Sequence, residues 1–357
     1  MRNLLVALLL IGIIAFPNIA NANTYYVSTT GNDSNPGTIS QPFRTLQRIS
    51  SLTLNPGDIV YIRAGTYMSG VSSGTRVWKL SNLHGASGNP ILISAYPGDF
   101  PNGGRVVLDC GDFKRMNDVY GISLENSSYV TISGIRVTNL PQQPVSGGSA
   151  GGTGTITGAW WLISSSNCII DNCEGDHSMT GFRLDDGSNV TFSNCDAHHI
   201  DDPYTGPPTG AHNGSDGFQR TGSGNMATGT VYKGCRSWWC SDDGWDCFGT
   251  TGTITYDHCW AFWNGYLPGS FTAGGDGNGI KMGPSTVSSP ITRFVNNCVA
   301  FQNRLNGFDQ NAGSATSQFY NNTSYGNKAS GWKFGYSAPS LHHESISQVT
   351  YCKMRVI

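Results

Sequence analysis

Asp216-Gly217-Phe218-Gln219 recurs as Asp243-Gly244-Trp245-Asp246, as Asn278-Gly279-Ile280-Lys281 and as Asn306-Gly307-Phe308-Asp309. Thr180-Gly181-Phe182-Arg183 and Ser330-Gly331-Trp332-Lys333 flank the series. A glycine before one bulky apolar residue, repeated at coil-length intervals, reads as one strand per turn of a solenoid. Parallel strands stack about 4.8 Å apart, so equal positions form vertical rows. One row is then Thr180, Asp216, Asp243, Asn278, Asn306 and Ser330; the other is Arg183, Gln219, Asp246, Lys281, Asp309 and Lys333. This register gathers Asp216, Asp243 and Asp246 beside Lys281, with Asp242 adjoining.

A second repeat supports the same coil. Cys173, Cys195, Cys235, Cys259 and Cys298 follow Asn172, Asn194, Gly234, His258 and Asn297, and each closes a short strand-like run such as Val190-Thr191-Phe192. The intervals from Cys173 to Cys195 and from Cys235 to Cys259 suit one bare coil. The longer ones, Cys195 to Cys235 and Cys259 to Cys298, suit a coil with an inserted loop. These thiols are expected as a mostly unbridged interior row, where cysteine acts as a small hydrophobe. No CxxC pairs with another, which argues against zinc.

Composition agrees with an exported all-β chain. Arg2, the apolar run 4–16 and Ala20-Asn21-Ala22 form a secretory leader, so residues 1–22 are expected to be removed. The leader is too short for a membrane span, and no later stretch qualifies. Charged residues are only 12%, glycines number 47 and the net charge is −2. That balance gives no basic field for nucleic acid. The expected product is a secreted monomer with one β-solenoid domain over 23–336. Phe43, Leu46 and Ile49 recur at helical spacing over 42–52, predicting a helix that covers the first coil. Residues 337–357 lack the repeat and read as an improvised cap, a disordered tail or a truncated end.

Four carboxylates crowded in one patch repel one another unless a cation joins them. Hard oxygen donors in that number suit Ca²⁺, with Asp216, Asp242, Asp243 and Asp246 as ligands. A neighbouring dication and partial desolvation favour the neutral form of Lys281 while Asp246 opposes them; where the first two prevail, a lowered pKa lets Lys281 accept a proton. Arg183, Arg220, Arg236 and Lys333 are candidates for binding substrate carboxylates. Asn278 and Asp309 either brace the ligands or form ladders between coils. Trp238 and Trp239 are candidate sugar platforms, whereas Trp245 takes the place of Phe or Ile in other coils and is expected inside.

Asp216-Gly217-Phe218 and the segments 241–246, 277–283 and 305–311 resemble the family 9 polysaccharide lyases, whose founding activity is pectate lyase. Thr24-Tyr25-Tyr26-Val27-Ser28 and residues 59–67 fit as well, and the resemblance extends to about Phe334. It implies a right-handed parallel β-helix, Ca²⁺ on the four aspartates, and Lys281 as the Brønsted base that cleaves polygalacturonate of plant cell walls by β-elimination. Two departures stand out: a small insertion near 222–226, and an end shorter than the family's usual further coils. Two other readings compete. A hydrolase would use Asp242 and Asp243 as acid and base, which on a strand would need a bend to face the same side. A non-catalytic adhesin would hold structural calcium and leave Lys281 unexplained.

Overall fold

The computed structural model describes residues 22–70, 74–113, 118–221, 228–283, 291–311, 316–334 and 354–356. The leader up to residue 21, the insertion at 222–226 and most of the tail lie outside these residues.

Each turn of the chain lays down three short strands. One turn comprises Thr230–Lys233, Arg236–Cys240 and Trp245–Asp246. The next comprises Gly252–Asp257, Trp260–Phe262 and Ile280–Lys281. These coil strands pair in parallel with their counterparts one coil on, for example Asp257 beneath Asn296 and Asp246 beneath Lys281. Among the described residues this builds three sheets of ten, nine and ten strands, the architecture of a parallel β-helix. They are called here the first, second and third sheets, in the order the chain visits them.

The interior explains the repeat. In the third sheet Phe182, Phe218, Trp245, Ile280, Phe308 and Trp332 are in register and point inward. Phe218 stacks on Phe182 at 5.0 Å and on Trp245 at 4.7 Å, with ring planes within 10°. Burial of such rings dominates core energetics, and Trp245 is inside as expected. The preceding glycine lets successive coils approach. A Cβ on Gly244 would lie 2.4 Å from the Gly279 carbonyl oxygen, and one on Gly279 would lie 2.6 Å from that of Gly307.

The cysteine row is also observed. All five repeat cysteines are buried and free. The thiols of Cys195, Cys235 and Cys259 donate to the carbonyls of Ile170, Phe192 and Tyr232 in the coil below, each at 3.3 Å. The residue before each cysteine turns the corner between the first and second sheets with positive φ, 52° at Asn194 and 56° at Asn297. Asparagine is among the few L residues that visit this region readily.

The expected capping helix differs in kind and extent. Residues Leu46–Ser51 form a 3-10 helix, capped by the Thr45 side chain. Phe43 instead bridges to Val27, which keeps the start of the predicted segment extended. Gln47 and Ser50 still donate to the carbonyls of Val77 and Lys79 on the edge strand Arg76–Ser81. At the other end, Met354–Val356 pairs with Ser330–Phe334 and extends the third sheet. Among the described residues no helix is long and apolar enough to cross a membrane.

Candidate functional site

Two long connections, 201–217 and 263–279, leave the corner between the second and third sheets. Together with the hairpin of Pro144–Gly148 and Gly152–Gly154 they wall a cleft over the outward face of the third sheet. Asp216, Asp242, Asp246, Lys281 and Arg183 line it. The strands run outward at Arg183, Gln219, Asp246, Lys281, Asp309 and Lys333 in unbroken register, so the second predicted row exists as drawn.

Asp242 and Asp243 precede the strand Trp245–Asp246, in a bend that lets neighbouring carboxylates face one point. Asp216, Asp242 and Asp243 each offer an oxygen within 4.8 Å of the others, and all three are buried. Asp276 N–H donates to Asp242 Oδ1 at 2.8 Å. The backbone and side-chain amides of Asn278 donate to Asp243 Oδ1 at 2.6 and 2.9 Å. Asn306 Nδ2 donates in turn to Asn278 Oδ1 at 2.8 Å. Asn278 therefore both holds a carboxylate and continues a ladder. Asp309 braces a different partner, accepting from Lys333 at 3.1 Å and from Asn306 at 3.2 Å.

Lys281 Nζ lies 3.0 Å from Asp243 Oδ2 and 3.0 Å from Asp246 Oδ2. Both contacts are close charge pairs, and among the described residues Lys281 is the one protein cation facing the buried Asp243 Oδ2. Burial, with the charges of Asp246 and Asp243, drives the Asp216 carboxyl well above the usual range. Burial and the same neighbouring acids raise Asp242 likewise. Asp243 is pushed up to about 6, burial outweighing the nearby ammonium. For Lys281, burial favours the neutral amine, but the surrounding carboxylates of Asp243, Asp246, Asp216 and Asp242 outweigh it and raise its pKa. The expected lowering is thus not a property of the protein groups alone; it requires the acids to be neutralised.

The donor set fits a hard divalent cation. Three buried carboxylates converge, and burial together with the neighbouring acids makes each resist ionisation despite the Lys281 ammonium. Asp246 stands apart from that trio, since its oxygens accept from Phe248 N–H at 2.7 Å and from Lys281.

The predicted substrate cations divide. Arg183 lines the cleft, held by Asp185 at 2.9 Å. Lys333 is on the same face, two coils beyond Lys281. Arg220 is a correction: it is 2% exposed, and its guanidinium donates to the carbonyls of Leu184 and Gly187. Strand alternation explains this, because Phe218 and Arg220 face inward on either side of outward Gln219. Arg236 is a second correction, since it pairs with Asp196 on the second sheet, on another face of the solenoid. Sequence reasoning missed Asp276, Gln219 and Phe248 at the cleft. Gln219 Nε2 donates to Asp216 Oδ2 at 3.0 Å and had been legible from its row.

A family model described as the Pel9A-like, right-handed β-helix region matches residues 25–344. The chain belongs to this family, polysaccharide lyase family 9. It is a polysaccharide lyase, and its coil is right-handed. Among its relatives, pectate lyase L of Dickeya dadantii (strain 3937) is 31% identical over 333 residues, spanning 90% of this chain and 68% of that protein. The crystal structure of pectate lyase Pel9A superposes with a TM-score of 0.65 at 27% identity, covering 92% of this chain and 80% of that one. A structure titled rhamnogalacturonan lyase gives 0.70 at 29% identity, covering 84% and 73%.

Proposed function

We propose that this protein is an exported, calcium-dependent pectate lyase that cleaves α-1,4-linked polygalacturonate. The observation carrying the proposal is the convergence of Asp216, Asp242 and Asp243 within 4.8 Å, next to Lys281. Asp216, Asp242 and Asp243 would hold the ion, with Asp246 completing the set on the Lys281 side. Bound there, Ca²⁺ supplies a Lewis acid for the substrate C6 carboxylate, acidifying C5–H and stabilising the enolate-like charge of the transition state.

The chain's own groups do the rest. Neutralising the acids removes the field that holds the Lys281 proton, and burial then favours the free amine. Lys281 Nζ accepts the C5 proton. The electrons of that C–H bond form the C4–C5 double bond as the C4–O bond breaks, and water protonates the leaving oxygen. Arg183 and Lys333 receive substrate carboxylates above and below the scissile bond. Phe248, 53% exposed at the cleft, offers an apolar face to a sugar ring. Hydrolysis by Asp242 and Asp243 is disfavoured, because inverting carboxyls stand roughly 6.5–9.5 Å apart to admit water. The leader predicts secretion, and the mature chain is proposed to act as a monomer.

A second substrate has one observation behind it, the superposition on a rhamnogalacturonan lyase. The test therefore uses polygalacturonate and rhamnogalacturonan in parallel, with calcium and with chelator, following ultraviolet absorbance and reducing ends. Unsaturated product from polygalacturonate that vanishes on chelation supports the proposal. Product from rhamnogalacturonan alone moves the substrate assignment. Reducing ends without absorbance reject elimination.

A further inference from the structure

In the seven coils from Asn139 onward, the corner after the second sheet is turned by a residue with positive φ. In succession these are Asn139 (62°), His177 (50°), His199 (54°), Trp239 (54°), Trp263 (56°), Gln302 (53°) and Gly326 (64°). Glycine and asparagine occupy that region at least cost, and a bulky side chain there is a backbone outlier. Only two of these coils carry tryptophan. They are the coil of Asp242 and Asp243 and the coil of Lys281. Trp239 lies three residues before Asp242, so the unfavourable corners adjoin the acid cluster.

The loop that follows Trp263 adds a third ring. Phe271 is 65% exposed, the highest value for a large apolar side chain among the described residues. Its centroid lies 5.0 Å from Trp239 and 6.2 Å from Trp263, with the two tryptophans 5.3 Å apart. The planes are tilted by 56°, 86° and 40°. This differs from the neighbouring outward row of Trp238, Phe262, Phe301 and Tyr325, whose planes agree within 2–7°. Parallel rings cover one another's faces, whereas here Trp239 and Trp263 are half-buried under a largely exposed Phe271, with Phe262 and Tyr266 packed edge-on at 5.1 and 5.5 Å. Trp238 therefore belongs to a ladder, while Trp239 and Trp263 belong to a tilted, half-exposed cluster beside it.

Among the described residues no arginine or lysine contacts the rings of Trp239, Trp263 or Phe271; Lys328 sits over Tyr266 instead, at 4.9 Å. A half-exposed aromatic surface with no cation over its own rings suits the apolar C–H face of an uncharged pyranose better than a uronate. We infer that Trp239, Trp263 and Phe271 form a binding platform for neutral pyranose glycan, at the corner beside the lyase cleft and separate from it. It would tether the protein to uncharged polymer lying next to the acidic substrate. Its use does not depend on which uronan is cleaved.

The test is binding of soluble β-1,4-galactan and of a soluble neutral β-glucan, followed by tryptophan fluorescence and calorimetry. The full-length mature protein is compared with Trp239→Asn, Trp263→Asn and Phe271→Ala. Loss of a stacking ring is expected to weaken binding by about tenfold or more. Asparagine suits this corner, so the two Trp→Asn variants are expected to keep their melting temperature, calcium affinity and uronan KM. That combination separates a binding role from loop packing, in which stability and calcium affinity would fall together through Asp276 and Asn278. Absence of neutral-glycan binding by the parent, binding unchanged in all three variants, or binding that requires a uronate polymer each overturns the inference.

Discussion

Lys281 Nζ lies 3.0 Å from Asp243 Oδ2, a buried carboxylate oxygen one coil away. The proposed base and a proposed calcium ligand are therefore in direct contact across adjacent coils, and the charge state of one governs the other. A cluster that gathers this many carboxylates around one ammonium is electrostatically strained without further positive charge.

Removing one acid exposes this strain. Asp242 accepts from Asp276 N–H through Oδ1, a bond that the side-chain oxygen of a substituted asparagine can retain. Asp242→Asn is expected to weaken Ca²⁺ binding by about tenfold or more, since affinity follows ligand charge. Its melting temperature in chelator is expected to equal or exceed that of the parent. Calorimetric calcium titration and chelated thermal melts read both, and an unchanged calcium affinity would remove Asp242 from the ligand set.

Asn278 holds Asp243 and receives Asn306, while 1% exposed. Asn278→Ala is expected to cost about 1–3 kcal/mol, the usual range for leaving buried polar partners unsatisfied. Denaturant unfolding in chelator measures it. A cost near zero would mean that the ladder does not hold the carboxylate.

The two misplaced arginines give opposite expectations. Arg220→Met leaves the Leu184 and Gly187 carbonyls without their donor and is expected to destabilise by about 1–3 kcal/mol. Its KM for uronan should stay at the parent value. Arg236→Ala, on the second sheet, is expected to leave both kcat and KM within about twofold, since exposed ion pairs are worth about 1 kcal/mol or less. A large KM change in either variant would return that residue to the substrate.

Acid stability has an identifiable contributor away from the cleft. His199 is pushed down to about 4 by burial and by the positive charges of His198 and His177, against the pull of Asp176. Between that value and the ordinary 6.5 the unfolded chain binds more protons than the folded one, so stability falls as pH drops through this window. His199→Asn, a residue suited to its 54° φ, is expected to flatten the decline in melting temperature between those limits. An unaltered slope would clear His199.

The columns were legible because parallel register is strict. Once Gly217-Phe218, Gly244-Trp245 and Gly279-Ile280 align, Asp246 must lie beneath Lys281. What escaped was whatever depends on counting within a strand or across a corner. Arg220 follows the alternation set by Phe218 and turns inward, and Arg236 lies before the corner rather than after it. The helical spacing of Phe43, Leu46 and Ile49 was real but short, because Phe43 was claimed by a bridge to Val27. Asp276 contributes through its backbone amide, which side-chain chemistry does not reveal.

The most direct measurement pairs two readings on one variant, calcium affinity by calorimetry and appearance of ultraviolet-absorbing product from polygalacturonate, in Lys281→Ala against the parent. The account predicts calcium affinity retained or improved and the rate down by about 10²-fold or more, the scale of a lost general base. Product formed at the parental rate would contradict it.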